Sequence, residues 1–391
     1  MAKVKDIAMQ IRGVSYHPED LHDNLDEDSV VLLRANNIKD GKLILDDVVY
    51  VSKSKVAEQQ YLQTGDILIC ASSGSKELVG KAAFVDSVKN PMTFGAFCKV
   101  VRPQPEYSEY LGHYFNSPVY RRKISALSAG ANINNIKNEH IDNLDIQLVD
   151  EKERRKIITI LNELNMLISL RKQQLFKLDE LIKARFVEMF GDAKLNPNNL
   201  PCCSLSEYIV FLTSGSRGWS QYFTDSGEYF ITIKNVKNCK ITLQDVQCVT
   251  PPDNAEAKRT RVQENDLLIS ITADLGRTGI VPKEIAEHGA YINQHLTCIR
   301  LKQDKLNPLY VAYYMESDAG KEQFVAKNQS AVKAGLNFNA INSLKLMVPP
   351  LALQNQFAAF VERVDQQKQT VQQSLEKLEL MKKALMQEYF G

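Results

Sequence analysis

Two stretches of the chain, 151–190 and 351–390, carry a regular apolar pattern and contain neither proline nor glycine. In each stretch an apolar residue recurs at every seventh position, which is typical of long helices that pack against a partner helix. We therefore predict two long helices that pack on each other. The alternative, core helices of one large domain, fits less well because the many basic residues would need solvent. The repeating positions are Leu161, Ile168, Leu175, Ile182 and Met189, then Phe357, Val364, Val371, Leu378 and Leu385, and the basic residues include Arg154, Arg155, Arg171, Lys172 and Lys177.

The segments that precede these stretches have a different pattern. Short apolar runs at 30–33, 67–70 and 229–233 have the length of β-strands. Asp40-Gly41 separates two such runs and is typical of a hairpin turn. Aromatic residues at three- and four-residue spacings near 107–127 and 307–328 indicate helices. The predicted fold class is therefore α+β, a mixture of helices and strands.

The chain also repeats itself at an offset of 200 residues. Glu188-Met189-Phe190-Gly191 matches Glu388-Tyr389-Phe390-Gly391, and the register continues upstream without a gap for about 80 residues. Further upstream, 65–69 parallels 265–269 and 37–39 parallels 235–237, with small insertions between. A period this long excludes a solenoid and indicates a duplicated domain. The predicted segments are a globular domain at 1–150, a helix at 151–191, a second globular domain at 192–350 and a second helix at 351–391.

Composition limits the class of protein without identifying it. The 391 residues are 44% hydrophobic and 24% charged, which is ordinary for a globular protein of two or three domains. No apolar run is long enough to span a membrane, and no secretory signal is recognisable, so we expect no membrane association. Seven cysteines without a disulfide framework fit a reducing cytoplasm. The net charge is only +1, so any site for a polyanion must be a local patch.

Signatures of catalysis are incomplete wherever they occur. The segment Gly74–Ala82 resembles a phosphate-binding loop, but it has one residue too many between its glycines and lacks the final hydroxyl. Asn307-Pro308-Leu309-Tyr310 resembles a motif of adenine methyltransferases, but Leu309 breaks it. The six histidines have no metal-ligand spacing. We therefore expect no catalytic residue, no bound cofactor and no metal.

A set of short motifs occurs in the same order in both copies. The first copy has 12–16, then 33–38, 65–69, Ser72-Ser73-Gly74, Val79-Gly80-Lys81 and Phe94-Gly95-Ala96-Phe97. The second has Thr213-Ser214-Gly215-Ser216-Arg217, then 231–236, Asn293-Gln294-His295-Leu296 and Val348-Pro349-Pro350-Leu351. Together these motifs resemble the specificity subunit of type I restriction–modification systems, over nearly the whole chain.

The resemblance implies a fold and a function. The fold would be two target-recognition domains, separated by an antiparallel coiled coil of the two helices. Each domain would read one half of a bipartite sequence in double-stranded DNA. Two methyltransferase subunits and restriction subunits that translocate DNA would dock on the chain, which itself would be non-catalytic. One departure is Val149-Asp150-Glu151, where the second copy has Pro349-Pro350-Leu351, together with Arg154 in place of Gln354; the first helix is therefore expected to start less sharply.

Polar residues in the segments between strands are the candidates for base contacts, because base edges are read by Arg, Lys, Asn, Gln, Ser and Thr. Three candidates have a specific alternative: Asn37 and Asn235 as turn-forming residues, and Trp219 as a core residue. The first copy supplies Arg34, Asn36, Asn37, Ser72, Ser73, Ser75, Lys76, Asn132, Asn134, Asn135 and Lys137. The second supplies Ser214, Ser216, Arg217, Trp219, Lys234, Asn235, Thr272, Arg277, Ser330, Lys333, Asn337 and Asn339.

Two other functions remain open at this point. One is a nuclease or methyltransferase with an unfamiliar active site, which the incomplete signatures disfavour. The other is a coiled-coil protein scaffold whose two globular domains bind proteins and have no sequence-specific role on DNA.

Overall fold

A computed structural model describes residues 1–75, 77–129, 135–328 and 335–391. The chain forms two compact units. The first comprises Met1–Gln173 and Gln372–Gly391, and the second comprises Gln174–Val371. Within the described residues, no helix has both the length and the apolar character needed to cross a membrane.

The described residues of the first part of the chain form twelve strands and four α-helices. The strands are β1 (Ala2–Lys3), β2 (Ala8–Arg12), β3 (Leu21–His22), β4 (Ser29–Leu33), β5 (Ile38–Lys39), β6 (Lys42–Leu43), β7 (Val49–Ser52), β8 (Ile67–Cys70), β9 (Ala82–Phe84), β10 (Met92–Phe94), β11 (Cys98–Pro103) and β12 (Asp145–Ile146), as far as the described residues extend. The helices described there are α1 (Ser108–Phe115), α2 (Pro118–Ala129), α3 (Asn138–Asp142) and α4 (Glu151–Phe190).

The second part repeats this order with two additional short helices, α5 and α6. Its described strands are β13 (Cys202–Ser204), β14 (Ile209–Ser214), β15 (Phe223–Thr224), β16 (Glu228–Ile231), β17 (Val236–Lys237), β18 (Lys240–Ile241), β19 (Gln247–Val249), β20 (Leu267–Ser270), β21 (Thr278–Ile280), β22 (Ala290–Ile292), β23 (Leu296–Leu301) and β24 (Lys345–Met347). Its described helices are α5 (Ala255–Thr260), α6 (Lys283–His288), α7 (Pro308–Glu316), α8 (Asp318–Ala326), α9 (Phe338–Asn342) and α10 (Leu351–Phe390).

The sheets confirm the predicted duplication. Among the described residues, each unit has one four-stranded antiparallel sheet, β2-β11-β8-β9 in the first and β14-β23-β20-β21 in the second. Each also has a mixed sheet, β10-β4-β7-β3 and β22-β16-β19-β15. In both mixed sheets the one parallel pair occupies the same place, β10 with β4 and β22 with β16. The two copies therefore share their strand order as well as their sequence register.

The predicted hairpin at Asp40-Gly41 is present between β5 and β6. Both turn residues have positive φ, 51° and 78°, as the type I′ turn of a two-residue hairpin requires. The second copy makes the same turn between β17 and β18 with Asn238 and Cys239, at φ 52° and 62°. Cys239 is unusual there, because residues other than Gly, Asn and Asp rarely adopt this conformation.

The two long helices begin at matching positions, so the expectation of a less sharp first start is wrong. The carboxylate of Asp150 caps α4 by accepting a hydrogen bond from the Glu153 amide at 2.8 Å. Arg154 is also buried, contrary to the expectation that it needs solvent, because its guanidinium lies 4.4 Å from the centre of the Tyr107 ring. Its counterpart Gln354 is equally buried and bonds the Asn307 amide and the Pro349 carbonyl.

The helices pack antiparallel, as predicted. In the first unit, Ile157 and Leu161 near the start of α4 share a buried cluster with Met386 and Phe390 at the end of α10. In the second unit the roles are exchanged. Ile182, Phe186 and Phe190 near the end of α4 share a cluster with Phe357 and Val361 near the start of α10. In each unit, the start of one long helix therefore packs beside the end of the other.

Each core is completed by the end of the helix that belongs to the other copy. The Phe390 ring lies 5.1 Å from the Tyr110 ring, and the Phe190 ring lies 4.8 Å from the Tyr310 ring, measured between ring centres. Both tyrosine hydroxyls donate at 2.9 Å to a backbone carbonyl, Tyr110 to Gln147 and Tyr310 to Met347. The aromatic rings supply the packing energy, and the hydroxyls lose no hydrogen bond on burial.

In each unit, a buried carboxylate just before one strand of the four-stranded antiparallel sheet pairs with an arginine on the neighbouring strand. Arg102 donates from Nε and Nη2 to the two oxygens of Asp66, both at 2.8 Å, and Arg300 does the same to Asp266. Asp66 and Asp266 are 1% and 0% exposed. Such a bidentate pair is strong when intact and costly when broken, because the remaining charge is left buried without a partner.

We predict that Arg300→Ala lowers the free energy of unfolding of the second unit by about 3–5 kcal/mol, since it leaves the buried carboxylate of Asp266 without its charged partner. The fluorescence of Trp219, buried in the same unit, reports unfolding in urea. The control is Glu287→Ala, which removes only an exposed partner of Lys283 and should change little. Equal unfolding midpoints for the two variants would contradict the prediction.

A buried histidine makes the first unit sensitive to acid. His113 on α1 is 8% exposed, and burial lowers the pKa of its imidazole to about 4. The nearby Lys382 lowers that pKa further, whereas Asn162 and Glu109 raise it. Because the unfolded chain binds this proton near pH 6.5 and the folded chain does not, stability declines as the pH falls from about 6.5 to about 4.

We predict that His113→Gln removes about 2 kcal/mol of the stability loss between pH 7 and pH 5, out of a full loss of about 3 kcal/mol at 1.36 kcal/mol per pKa unit. Amide hydrogen exchange of α1 at pH 7 and pH 5, corrected for intrinsic rates, measures it. The internal control is α7, where Tyr313 occupies the matching position. If wild type and variant lose protection in α1 equally, His113 is not the cause.

Candidate nucleic-acid interface

Four loops of the first unit surround a cleft of about 740 Å³. Its walls are formed by 14–16, 34–36, 72–74 and 95–98. The cleft brings together four of the residues predicted to contact bases, Arg34, Asn36, Ser72 and Ser73. These loops follow different strands, so the convergence results from the sheet order and not from proximity in sequence.

One carboxylate holds two of these side chains in place. Asp47 accepts from Nη2 of Arg34 at 3.3 Å and from Nδ2 of Asn36 at 2.6 Å. The Nε of Arg34 has no hydrogen-bond partner among the described residues. Guanidinium and amide groups are the side chains that pair bidentately with guanine and adenine in the major groove. Asp47 therefore orders two side chains that carry the donor groups such pairing requires.

Asn37 and Asn235 have structural roles, as the alternative interpretation held. Both are buried, at 1% and 2% exposure. The Oδ1 of Asn37 accepts from the Arg34 amide, and its Nδ2 donates to the carbonyls of Ile44 and Asp47, each at 2.8 Å. Asn235 makes the equivalent bonds in the second copy, from the Thr232 amide and to the Thr242 and Gln244 carbonyls. Their amides are occupied within the loop, so the structure does not support them as base-contacting residues.

Two walls of the cleft, 14–16 and 95–98, are held together where their backbones come into close contact. A Cβ on Gly13 would lie 2.1 Å from the Gly95 carbonyl oxygen, and a Cβ on Gly215 would lie 2.1 Å from that of Asn293. Only glycine fits at such a distance. The chain is bridged immediately afterwards, between Val14 and Gly95 and between Ser216 and Asn293. The same crossing thus builds the loop framework in both units.

Two second-copy candidates face the core instead of solvent. Trp219 is 3% exposed, packs against Phe230 and Tyr291, and donates from Nε1 to Glu256 at 3.2 Å. Ser216 is 2% exposed, and its hydroxyl bonds that of Thr260 at 3.0 Å. Neither is available to DNA, because each has its polar atoms satisfied beneath the surface. For Trp219 the alternative interpretation as a core residue is the correct one.

The remaining second-copy candidates among the described residues are at least partly exposed. Thr272 bonds the Nδ1 of His295 at 2.7 Å, and Arg277 is paired with Asp274. Ser214 is half-buried, and Arg217 and Lys234 are exposed. Asn337 accepts from the Ala340 amide at 2.9 Å and so caps α9, and Asn339 is exposed within that helix.

The other first-copy candidates are Ser75, Asn135 and Lys137, all of which are exposed. Asn135 bridges the backbone of Ser72, so it lies beside the cleft, and Lys137 pairs with Glu139 at 3.5 Å. Five candidates, Lys76, Asn132, Asn134, Ser330 and Lys333, lie outside the described residues.

Sequence analysis alone does not single out Asp47, Tyr16 or Phe97. Tyr16 and Phe97 line the cleft, and the side chain of Phe97 is 71% exposed. A signal for Phe97 exists in the repeat, since Gly95-Ala96-Phe97 matches Asn293-Gln294-His295 around the same crossing. Asp47 has no comparable signal, because its contacts depend on how the loop after β6 folds back.

Groups that could bind a metal ion, and reactive thiols, would indicate other kinds of chemistry in the described residues. They contain no group of three or more His, Cys, Asp or Glu that could hold a metal ion. The thiols of Cys98 and Cys239 are buried, and burial raises the pKa of Cys98 to about 12, which disfavours the reactive thiolate. A larger cleft of the first unit, about 1550 Å³, is lined by residues of both charges, among them Lys42, Lys382, Asp40 and Glu109.

Comparison with known proteins identifies the family. The family model "Type I restriction modification DNA specificity domain" matches residues 14–180 and again 218–380. The StySPI specificity subunit of Salmonella potsdam is 30% identical, over 93% of this chain and 81% of its own. The EcoKI specificity subunit of Escherichia coli K12 is 31% identical, over 94% and 81%.

Solved structures agree on the fold. A type I restriction–modification S subunit from M. genitalium has a TM-score of 0.55 at 13% identity and is covered over 95% of its length by all of this chain. A chain from a study of assembly and conformational transition in the type I system has a TM-score of 0.58 at 17% identity, over 99% of this chain and 96% of that one. The duplicated architecture, the matching family model and the two relatives lead to one conclusion: the chain belongs to the type I restriction–modification DNA specificity family and contains two copies of the family's domain.

Proposed function

We propose that the chain reads a bipartite DNA sequence, with one half-site for each unit. The observation that carries this proposal is one loop framework built twice with different side chains. At matching positions the first unit has Arg34, Ser72 and Phe97, where the second has Thr232, Thr272 and His295. Because side chains on these loops would meet base edges, the two half-sites should differ in sequence.

Within a type I complex, two methyltransferase subunits and the restriction subunits that translocate DNA would dock on this chain. The two copies of the domain support two methyltransferase subunits, one for each. Apolar side chains that remain exposed on α4 support docking there, and they include Met166 in the first unit and Phe176 and Val187 in the second. Exposed apolar residues of this kind commonly become buried in a subunit interface.

In this proposal the chain supplies recognition and its partners supply chemistry. The broken catalytic signatures of the sequence support this division. So does the family, whose named relatives are specificity subunits. A protein scaffold without sequence-specific DNA binding is the alternative, and the following two tests separate it from the proposal.

Exchange of residues 1–150 for the equivalent domain of another family member should change one half of the methylated motif and leave the other half intact. The incoming domain must keep an aromatic ring at the position of Tyr110, because Phe390 packs there. Methylome sequencing of a host that carries the matching subunits gives the motif. Loss of both half-sites in a folded chain would contradict the proposal, and retention of partner subunits without any methylated motif would favour the scaffold.

Arg34→Ala should relax the recognised base at one position of one half-site. Loss of a bidentate Arg contact typically costs about 1–3 kcal/mol of discrimination. The same methylome measurement, with Arg155→Ala as control, tests this. Arg155 is an exposed arginine on α4 whose guanidinium bonds Glu151, and it lies outside the cleft. An unchanged motif in Arg34→Ala, or an equal change in the control, would count against the cleft as the reading site.

A further inference from the structure

Phe97 lies where three loops of the first unit are tied together through the backbone. Its carbonyl accepts from the amides of Ala71 and Ser72, at 2.9 and 3.0 Å. The turn that carries it is closed by the Cys98 amide, which donates to the Gly95 carbonyl at 2.8 Å, and the Gly95 amide donates to Leu33 at 2.9 Å. The ring is 71% exposed, yet it stands on a backbone with few degrees of freedom.

The second unit builds the same turn with a different side chain. The Leu296 amide closes it onto the Asn293 carbonyl at 3.0 Å, and the Ile271 amide donates to the His295 carbonyl at 3.0 Å. His295 thus stands where the first unit has Phe97. Its imidazole bonds Thr272, whereas Phe97 can offer only an apolar surface. The backbone is constant and the chemistry changes, which is what a position that distinguishes two half-sites requires.

The neighbours of Phe97 define what its ring would meet. Arg34 and Asn36 line the same cleft and have the donors that suit guanine and adenine in the major groove. The one apolar feature among base edges in that groove is the C5-methyl group of thymine. We infer that Phe97 is a specificity-determining residue that contacts a thymine methyl group in the half-site read by the first unit. This inference rests on the proposed function.

The test uses the full chain with its matching methyltransferase subunits. Selection from a random duplex library gives the recognised motif, and each thymine of the first unit's half-site is then replaced by deoxyuridine, which lacks only the methyl group. Burial of one such group contributes about 0.8 kcal/mol, so the wild type should bind about fourfold more weakly after replacement at one position. Phe97→Ser should bind the two duplexes equally, and Phe97→Leu should retain most of the difference.

The control is Leu195→Ser, which removes an apolar side chain of similar exposure, 77%, from the second unit. It should retain both the motif and the sensitivity to deoxyuridine. Thermal melting of each variant verifies folding, which a change at so exposed a side chain should not impair.

Two outcomes would overturn the inference. One is a wild type that does not distinguish thymine from deoxyuridine anywhere in that half-site. The other is a Phe97→Ser variant that keeps the wild-type ratio of affinities for the two duplexes. That ratio would persist if both affinities fell by the same factor, as loss of a ring wedged between base steps would cause. If the wild-type complex selects no sequence at all, the proposed function fails with it. A selected bipartite motif without methyl sensitivity would overturn only the role of Phe97.

Discussion

The packing of each long helix's final turn against the globular core of the other copy is the constraint on which the structure depends. Phe390 completes a core beside Tyr110 and Tyr114, and Phe190 does the same beside Tyr310. Neither repeat, taken as a continuous segment, contains all of its own core. The antiparallel packing in both units follows, because each helix must begin beside its own domain and end in the other. Aromatic rings suit this role, since each buries a large area at a fixed geometry.

In addition to those cores, two kinds of contact fix the loops. The Arg102–Asp66 and Arg300–Asp266 pairs hold strands β11 and β23 to the segments before β8 and β20. The glycine crossings at Gly13 and Gly215 hold the loop ends at backbone contact. With the scaffold set in this way, side chains such as Arg34 and Phe97 can vary without moving the walls. In the proposed function, recognition is thereby separated from stability, as is usual when functional loops stand on a rigid sheet.

The sequence alone predicts those elements of the fold that depend on periodicity or on local turn chemistry. Heptads predict α4 and α10, the register of the repeat predicts the matching sheets, and Asp40-Gly41 predicts its hairpin. It was insufficient where a polar residue's role depends on distant partners. Asn36 and Asn37 are adjacent and chemically identical. Asn37 is buried and donates to the carbonyls of Ile44 and Asp47, whereas Asn36 lines the cleft. The prediction that Arg154 needs solvent is wrong for the same reason, because nothing in the neighbouring sequence indicates that its guanidinium lies over the Tyr107 ring.

The division of the first core between Tyr110 and Phe390 has a consequence for synthesis on the ribosome. At roughly 5–20 residues per second, the ring that completes this core is made about a quarter of a minute to one minute after Tyr110. The second unit, Gln174–Val371, is continuous and needs no later residue. The domain that is translated first is thus finished last, and until then its exposed aromatic residues are open to chaperones. A ribosome that stops within α10 beyond Val371 would leave a chain whose second unit is complete and whose first unit lacks Phe390.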